Sequence, residues 1–207
     1  FVPVLGSQGT SLVVALMAGC LAVVVAVPRS QRLLLAIPTA APLGLGALLA
    51  THPWTEADGA PKSVALVQGA VAQAEKWSPE NRANTLARYT SLTEPLWGSA
   101  VIVWPETALP AFPQEIPEFI AELKARAQRA GSTLLLGLPT SGEAGRYYNS
   151  LVMLGEAEGS YSKHHLVPFG EFLPFEQQLR PLLDFLSIPM SSFSAGAERQ
   201  PTLDVGG

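Results

Sequence analysis

Cysteine is almost absent from this sequence, because Cys20 is the only one among its 207 residues. A lone cysteine excludes an internal disulfide framework, and a zinc site built on it would need partners that the sequence does not supply. Cys20 lies inside an apolar run, where we expect it to fill space against lipid or a neighbouring helix. We therefore predict no metal, and no motif in the sequence predicts a cofactor.

Charge is scarce in the first 50 residues, which contain only Arg29 and Arg32. The remainder carries the other eleven of the 13 basic residues and all 17 acidic ones, a net charge of −6. An acidic surface without a basic stripe does not match a phosphate backbone, so no nucleic-acid partner is predicted. The chain also begins without methionine or a basic leading segment, which excludes an intact secretory signal and indicates a cut N-terminus.

Two apolar runs, 11–27 and 33–50, predict a transmembrane helical hairpin over residues 1–50. Each run covers about 25 Å at 1.5 Å per residue, close to the thickness of the hydrocarbon layer. Pro38 and Pro42 weaken the second run, and they favour its packing beside further helices. A buried hairpin in a soluble protein is the alternative.

The orientation of this hairpin follows from Arg29 and Arg32, which lie in the short link between the two runs. Basic links are retained on the cytoplasmic side of a bacterial membrane. The part of the chain after His52 is then expected in the periplasm, with the protein in the inner membrane.

Residues 62–207, after a linker at 51–61, alternate between β-rich runs and helical periodicity. The predicted strands are 63–67, 100–104 and 132–138, followed by a hairpin of 147–154 and 159–166. The predicted helices are 79–96, 113–130 and 175–186. This order indicates an α/β layered domain in which helices cover a sheet.

Glu106 is the first candidate for chemistry, because it directly follows a buried strand. Groups at the carboxyl end of a strand face the crevice where ligands bind in such folds. Trp104, Pro105 and Ala108 flank the carboxyl group, so we expect poor solvation that favours the neutral acid. The alternative is a turn acid or a helix cap.

Lys163 and Glu171 are the next candidates. Strand alternation would place Tyr161, Lys163 and His165 on one face, where the lysine is either an edge-strand solubiliser or a fixed cation for an oxyanion. Glu171 either orients Lys163 and assists proton transfer or is a surface acid in a tight turn. The adjacent His164 and His165 would point to opposite faces, which disfavours a shared metal.

Two further residues are candidate contacts to a substrate. Asn149, at the start of the hairpin, is either a hydrogen-bonding group of the site or a turn residue. Trp77, before a predicted helix start, is either a substrate contact or a hydrophobic staple.

Three segments of the sequence resemble apolipoprotein N-acyltransferases. They are residues 103–108, Val-Trp-Pro-Glu-Thr-Ala; residues 161–174, Tyr-Ser-Lys-His-His-Leu-Val-Pro-Phe-Gly-Glu-Phe-Leu-Pro; and residues 189–193, Pro-Met-Ser-Ser-Phe. The run from His165 to Glu171 is long and specific. The resemblance covers the whole second part of the chain, and it places the apolar hairpin where the family has membrane helices.

The resemblance implies a nitrilase-like αββα sandwich with a Glu-Lys-Cys triad. Glu106 matches the general base, Lys163 the lysine that stabilises the oxyanion, and Glu171 an additional essential glutamate. Trp77 matches a tryptophan linked to substrate engagement. The implied partners are a phospholipid as acyl donor and, as acceptor, the N-terminal diacylglyceryl-cysteine of an apolipoprotein, with a thioester acyl-enzyme between them.

The sequence departs from this family in one respect, because residues 51–207 contain no cysteine. The family's nucleophile lies downstream of the Met-Ser-Ser-Phe segment, so we expect a chain truncated before the cysteine, with an incomplete sandwich and no activity on its own. Two other functions remain open. One is a membrane-tethered carbon-nitrogen hydrolase, in which water resolves the acyl-enzyme; the other is a non-catalytic membrane-anchored scaffold.

Overall fold

The computed structural model describes residues 1–173 and 193–205. The chain divides into two compact units, Phe1–Ala60 and Pro61–Gly207. The predicted helix at 175–186 and most of the 189–193 segment lie outside the described residues.

The first unit contains two long helices, α1 (Val2–Ala26) and α2 (Arg29–Ala50). Both are long and apolar enough to cross a membrane, and none of the apolar stretch in either helix is buried among the described residues. Helix α1 begins well before the run at 11–27, because residues 2–10 are uncharged and Pro3 is tolerated in a first helical turn. Helix α2 continues through Pro38 and Pro42.

The second unit is built on one five-stranded sheet in the part of the chain that the structure describes. The strands follow the chain order: β1 (Val64–Leu66), β2 (Val101–Val103), β3 (Thr133–Ser141), β4 (Tyr147–Leu154) and β5 (Gly159–Ser162). The first three are parallel, and β4 and β5 are antiparallel to their neighbours. The α/β class predicted from the alternation is confirmed.

Among the described residues, three helices accompany this sheet: α3 (Gln73–Lys76), α4 (Arg82–Thr93) and α5 (Pro117–Ala130). Short 3₁₀ turns occur at Pro79–Asn81, Glu94–Leu96, Pro113–Glu115 and Glu143–Gly145. Tyr89 of α4 and Leu123 of α5 belong to one hydrophobic cluster with the apolar side chains of β2 and β3. Both helices therefore cover the same face of the sheet, as right-handed crossovers between neighbouring parallel strands require.

Several sequence-based boundaries were wrong, and one helix was not predicted. The helix predicted at 113–130 begins at Pro117, after a 3₁₀ turn at Pro113–Glu115. The stretch at 79–96 is a helix flanked by two 3₁₀ turns; at its end, Pro95 lacks the N–H that a continuous helix needs. The periodicity did not predict α3, which is a single turn. The last strand ends at Ser162 rather than residue 166, and the side-chain amide of Gln200 bonds both the N–H (2.8 Å) and the C=O (2.7 Å) of Ser162.

Candidate active site

Glu106 lies on a tight turn that follows β2 and passes over β3. The N–H of Ala108 donates to the Pro105 carbonyl (3.1 Å), and Thr107 adopts a left-handed φ of 49° that few non-glycine residues occupy. The turn approaches β3 at Gly137, where an added Cβ would lie 2.5 Å from the Pro105 oxygen. The absence of a side chain at residue 137 thus allows the approach that sets the position of Glu106.

Trp104 anchors the base of this turn in the core. Its indole is 1% exposed and stacks on Tyr89 with the ring centroids 4.7 Å apart. The indole N–H donates to the hydroxyl of Thr93 (3.0 Å), which in turn donates to the Tyr89 carbonyl (2.7 Å). A buried aromatic with a satisfied polar end holds the backbone next to Glu106 firmly.

Four polar side chains converge beside the turn, and we call them the carboxylate cluster: Glu106, Asn149, Lys163 and Glu171. The ammonium of Lys163 lies 2.8 Å from Oε1 of Glu106 and 2.9 Å from Oε2 of Glu171. The amide of Asn149 donates to Oε1 of Glu106 (2.5 Å) and to Oε1 of Glu171 (2.9 Å). Each nitrogen group therefore bridges both carboxylates.

The backbone holds Lys163 in place on both sides. Its N–H donates to the carbonyl of Asn149 on β4 (2.8 Å), and its carbonyl accepts from the N–H of Gly196 (2.9 Å). A side chain at residue 196 would collide with the carbonyl oxygen of Ser162, so glycine permits this contact. Lys163 is thus fixed between β4 and the segment at 193–197.

Glu171 is positioned by a compact loop. Its own N–H donates to the Val167 carbonyl (2.9 Å), and its Oε2 accepts the N–H of Val167 (2.8 Å). From outside the loop, the N–H of Phe193 donates to the Glu171 carbonyl (2.8 Å). Within the loop, Phe169 takes a left-handed φ of 62°. The carboxylate that results is 15% exposed.

The cluster changes the proton affinities of two of its members. The hydrogen bond to Glu106 is the main cause that raises the pKa of Lys163; burial opposes it, and Glu171 reinforces it. Burial acts to raise the pKa of Glu171, but hydrogen bonds from Val167, Asn149 and Lys163 outweigh it, so this pKa is lowered. The Glu106 side chain is 60% exposed, so the expected poor solvation of this carboxylate was wrong. Within this turn Pro105 and Glu106 are exposed, whereas Trp104 before them and Thr107 and Ala108 after them are buried.

A cavity of about 610 Å³ opens beside the cluster. Its polar lining comprises Lys76, Arg82, Glu106, Thr107, Glu115, Asn149 and Glu171. The rest is mainly apolar and includes Trp77, Pro110, Ala111, Phe112, Pro139 and Phe193. A space of this size with apolar walls and a few convergent polar groups is typical of sites for small organic ligands.

The structure brings together Glu106, Lys163, Glu171 and Asn149, and it places Trp77 in the cavity wall with half of its surface exposed. Asn149 lies within β4 and is 6% exposed, so it is not the turn residue of the alternative interpretation.

Sequence reasoning missed Lys76, Arg82 and Gly137. A glycine inside an apolar strand was the available signal for the last of these, since such a residue often marks a close backbone approach.

The histidine pair also differs from its prediction. Because β5 ends at Ser162, strand alternation does not extend to His164 and His165, and their rings meet edge to face at 4.8 Å. His164 Nδ1 lies 2.8 Å from the Gly196 carbonyl oxygen. Within residues 1–173 and 193–205, no group of three or more potential metal ligands is assembled.

Residues 63–204 match the carbon-nitrogen hydrolase family, so the match includes every member of the carboxylate cluster. The chain belongs to the carbon-nitrogen hydrolase family. The fold predicted for the second part of the chain is thereby confirmed as that of carbon-nitrogen hydrolases.

The similarity of this carbon-nitrogen hydrolase family member to individual proteins extends through its first unit. It is 42% identical to the apolipoprotein N-acyltransferase of Methylococcus capsulatus, over 99% of this chain and 41% of that protein. It is 39% identical to that of Vibrio vulnificus and 36% identical to that of Coxiella burnetii, over 100% of this chain and 42% and 43% of theirs. The resemblance predicted from the three motifs is confirmed.

The chain spans about two fifths of the length of these curated relatives. Among solved structures, a CN-hydrolase superfamily protein from Xanthomonas campestris is 23% identical, with a TM-score of 0.44, over 67% of this chain and 48% of its own.

Proposed function

We propose that this chain is the part of an apolipoprotein N-acyltransferase that carries two membrane helices and the glutamate and lysine of the catalytic triad. The reaction moves an acyl chain from a phospholipid to the α-amino group of an N-terminal diacylglyceryl-cysteine. The contact between the Lys163 ammonium and the Glu106 carboxylate, at the edge of a largely apolar cavity, carries the proposal. The similarity to apolipoprotein N-acyltransferases supplies the substrates.

In this proposal the nucleophile is a cysteine thiol from the part of the protein that these 207 residues do not span. Glu106 accepts the thiol proton, and the thiolate attacks the ester carbonyl carbon of the phospholipid. Lys163 stabilises the resulting oxyanion, while Glu171 and Asn149 hold the lysine and the general base in place. The C–O bond then breaks, and the proton on Glu106 passes to the departing lysophospholipid oxygen.

The second half of the reaction reverses these roles. The α-amino nitrogen of the acceptor attacks the thioester carbon, and Glu106 takes a proton from this nitrogen. The C–S bond breaks, an amide forms, and the thiol recovers a proton from Glu106. Membrane helices suit such an enzyme because both substrates carry acyl chains that reside in a bilayer.

One assay separates this function from the two alternatives. The full-length protein is incubated with a phospholipid labelled in one acyl chain and with a diacylglyceryl-cysteine peptide, and the products are identified by mass spectrometry. Labelled N-acyl peptide and lysophospholipid in equal amounts are expected. Labelled free acid without N-acyl peptide would contradict transfer and favour a membrane-tethered hydrolase. If neither product forms, the scaffold is favoured.

We further infer that the second unit faces the periplasm of a Gram-negative cell, with the protein in the inner membrane. Arg29 and Arg32 support this orientation, because they lie in the first turn of α2, next to the link between the helices. In a background where Cys20 and every other cysteine of the full-length protein are replaced by serine, a membrane-impermeant thiol reagent should label Asp58→Cys in intact spheroplasts but not Gln31→Cys. The opposite pattern would overturn the orientation.

A further inference from the structure

Two cationic side chains line the same cavity from different elements. Lys76 is the last residue of α3, and Arg82 is the first residue of α4. Trp77 follows Lys76 directly and also lines the cavity. The motifs that suggest acyl transfer include neither cation.

Lys76 is a partly buried cation with weak compensation from its surroundings. Its ammonium donates to the backbone carbonyl of Glu106 at 3.4 Å, near the upper limit for a hydrogen bond. Burial lowers the pKa of Lys76, and the nearby charge of Glu106 acts in the opposite direction. A bound anion would compensate for the desolvation of this ammonium.

Arg82 occupies a position that helix energetics do not explain. It begins α4, where the helix dipole is positive and an acidic residue would stabilise the helix. Its NH2 atom lies 3.7 Å from Oε1 of Glu115, which is an ion pair beyond hydrogen-bond distance. Glu115 is itself held by the N–H of Phe112, 2.9 Å from Oε2. The guanidinium can therefore turn to a better acceptor while Glu115 keeps its backbone contact.

The apolar part of the cavity wall includes Pro110, Ala111, Phe112, Pro139 and Phe193. Cations beside an apolar wall match an amphiphile whose anionic head is joined to a hydrocarbon chain. A lysine supplies a point charge and an arginine supplies a planar fork, so the pair suits a phosphate group with several oxygens.

We propose that Lys76 and Arg82 form a subsite for the phosphate group of an acyl amphiphile, with its chain on the apolar wall of the cavity. The inference rests on the proposed function, and it assigns residues to the head of the acyl donor. A phosphate held by these two residues places the donor in the same cavity that Glu106 borders, within reach of the cluster.

Binding is measured on the full-length protein in nanodiscs with four soluble probes: 1-O-octylglycerol-3-phosphate, 1-O-octylglycerol, octanoate and inorganic phosphate. The ether linkage prevents acyl transfer from the first two. Lys76→Gln and Arg82→Gln should each weaken binding of the octyl phosphate about tenfold or more, as loss of a charge-assisted hydrogen bond does. Octylglycerol binding should not change, and Lys76→Arg should retain binding of the phosphate probe.

Lys124→Gln and Arg129→Gln are the matched controls, because each removes one positive charge from α5, outside the cavity lining. They should bind the octyl phosphate as the wild type does. The subsite would be overturned if both cavity variants bound the octyl phosphate with unchanged affinity, or if their affinity for octylglycerol fell equally. If octanoate bound as tightly as the octyl phosphate, the phosphate selectivity of the subsite would be overturned. If inorganic phosphate bound as tightly, the site would be one for free anions instead.

The outcome is independent of the acyl-transfer assay. Charge-dependent binding without any N-acyl product would contradict the proposed function alone. If N-acyl product formed without charge-dependent binding, only the subsite would be contradicted.

Discussion

The side-chain nitrogen of Lys163 lies 2.8 Å from Oε1 of Glu106, although 57 residues separate them along the chain. The turn after β2 passes over β3 at Gly137, and β3 pairs Pro139 with Asn149 on β4. Asn149 then accepts the backbone N–H of Lys163 at the end of β5. The contact therefore depends on the close approach at Gly137 and on the register of β3 with β4.

Glu106→Gln should abolish formation of the acyl-enzyme in the full-length protein. The amide is nearly isosteric with the carboxylate but does not accept a proton from a thiol at neutral pH. Intact-protein mass spectrometry after incubation with phospholipid measures the thioester. Glu143→Gln, an exposed acid in a 3₁₀ turn outside the cavity lining, is the control and should acylate normally. Normal thioester accumulation in Glu106→Gln would refute the role of general base.

Lys163→Ala should slow acylation about 100- to 1000-fold, which corresponds to about 2.7–4 kcal/mol of barrier, as the loss of an oxyanion donor does. Single-turnover kinetics with a labelled phospholipid report this step directly. Lys124→Ala removes a lysine that pairs with Glu158 instead and should retain the wild-type rate. An acylation rate in Lys163→Ala within about threefold of the wild-type rate would count against the proposed role, because it corresponds to a change in barrier of less than ~1 kcal/mol.

The sequence predicted which residues belong to the site better than it predicted the contacts between them. The run before Glu106 is wholly apolar, so its burial and the place of the glutamate at its end followed from hydrophobicity. The contact of Asn149 with Glu106 did not follow, because it depends on strand register and on the turn conformation at Thr107. Local periodicity contains neither quantity.

The same limit applies to the last strand. Alternation predicted a strand through residue 166, whereas β5 ends at Ser162, whose backbone N–H and C=O bond the side chain of Gln200. A contact between residues 38 positions apart leaves no trace in the local pattern. Lys76 and Arg82 were missed for a similar reason, since only the tertiary fold places them in one cavity.

Glu171 should make the stability of the second unit depend on acidic pH. Its pKa in the folded protein is lowered from the ordinary 4.5, so the folded state binds the proton more weakly than the unfolded state. The contribution of this carboxylate to the unfolding free energy is then fully present above about pH 5. It is lost as the pH falls below 4.5 and through the pKa of Glu171 in the folded protein. Lys163, whose pKa is raised above 10.5, loses its contribution only at alkaline pH.

Urea unfolding followed by tryptophan fluorescence at pH 3, 5 and 7 checks this dependence. The difference in unfolding free energy between the wild type and Glu171→Gln should be largest at pH 5 and 7 and should shrink at pH 3. Glu198→Gln, an exposed acid in the same unit, is the control and should show little difference at any of these pH values. A Glu171→Gln difference that is independent of pH would contradict the prediction.

Gly137→Ala should destabilise the second unit by about 1–3 kcal/mol, because the added methyl group meets the backbone of the turn and forces it away. The new Cβ would lie 2.5 Å from the Pro105 oxygen and 2.6 Å from the Thr107 nitrogen. Acylation should also fall, since Glu106 moves with the turn. Gly44→Ala, a helical glycine with open space at its Cβ position, should change neither quantity appreciably. Wild-type stability and acylation in Gly137→Ala would show that the close approach is not required.

Thr93→Val tests whether the hydroxyl beneath Trp104 supports the turn. The hydroxyl donates to the Tyr89 carbonyl and accepts the indole N–H, so valine of similar shape leaves a buried N–H without a partner. We expect a loss of about 1–3 kcal/mol in unfolding free energy. Thr90→Val is the matched control, because its hydroxyl makes the same bond four residues back, to Leu86, at a partly buried position; its loss should stay within about 0.5 kcal/mol. Urea unfolding of both variants gives the comparison, and equal losses would mean that the indole contact contributes nothing beyond the helix-internal bond.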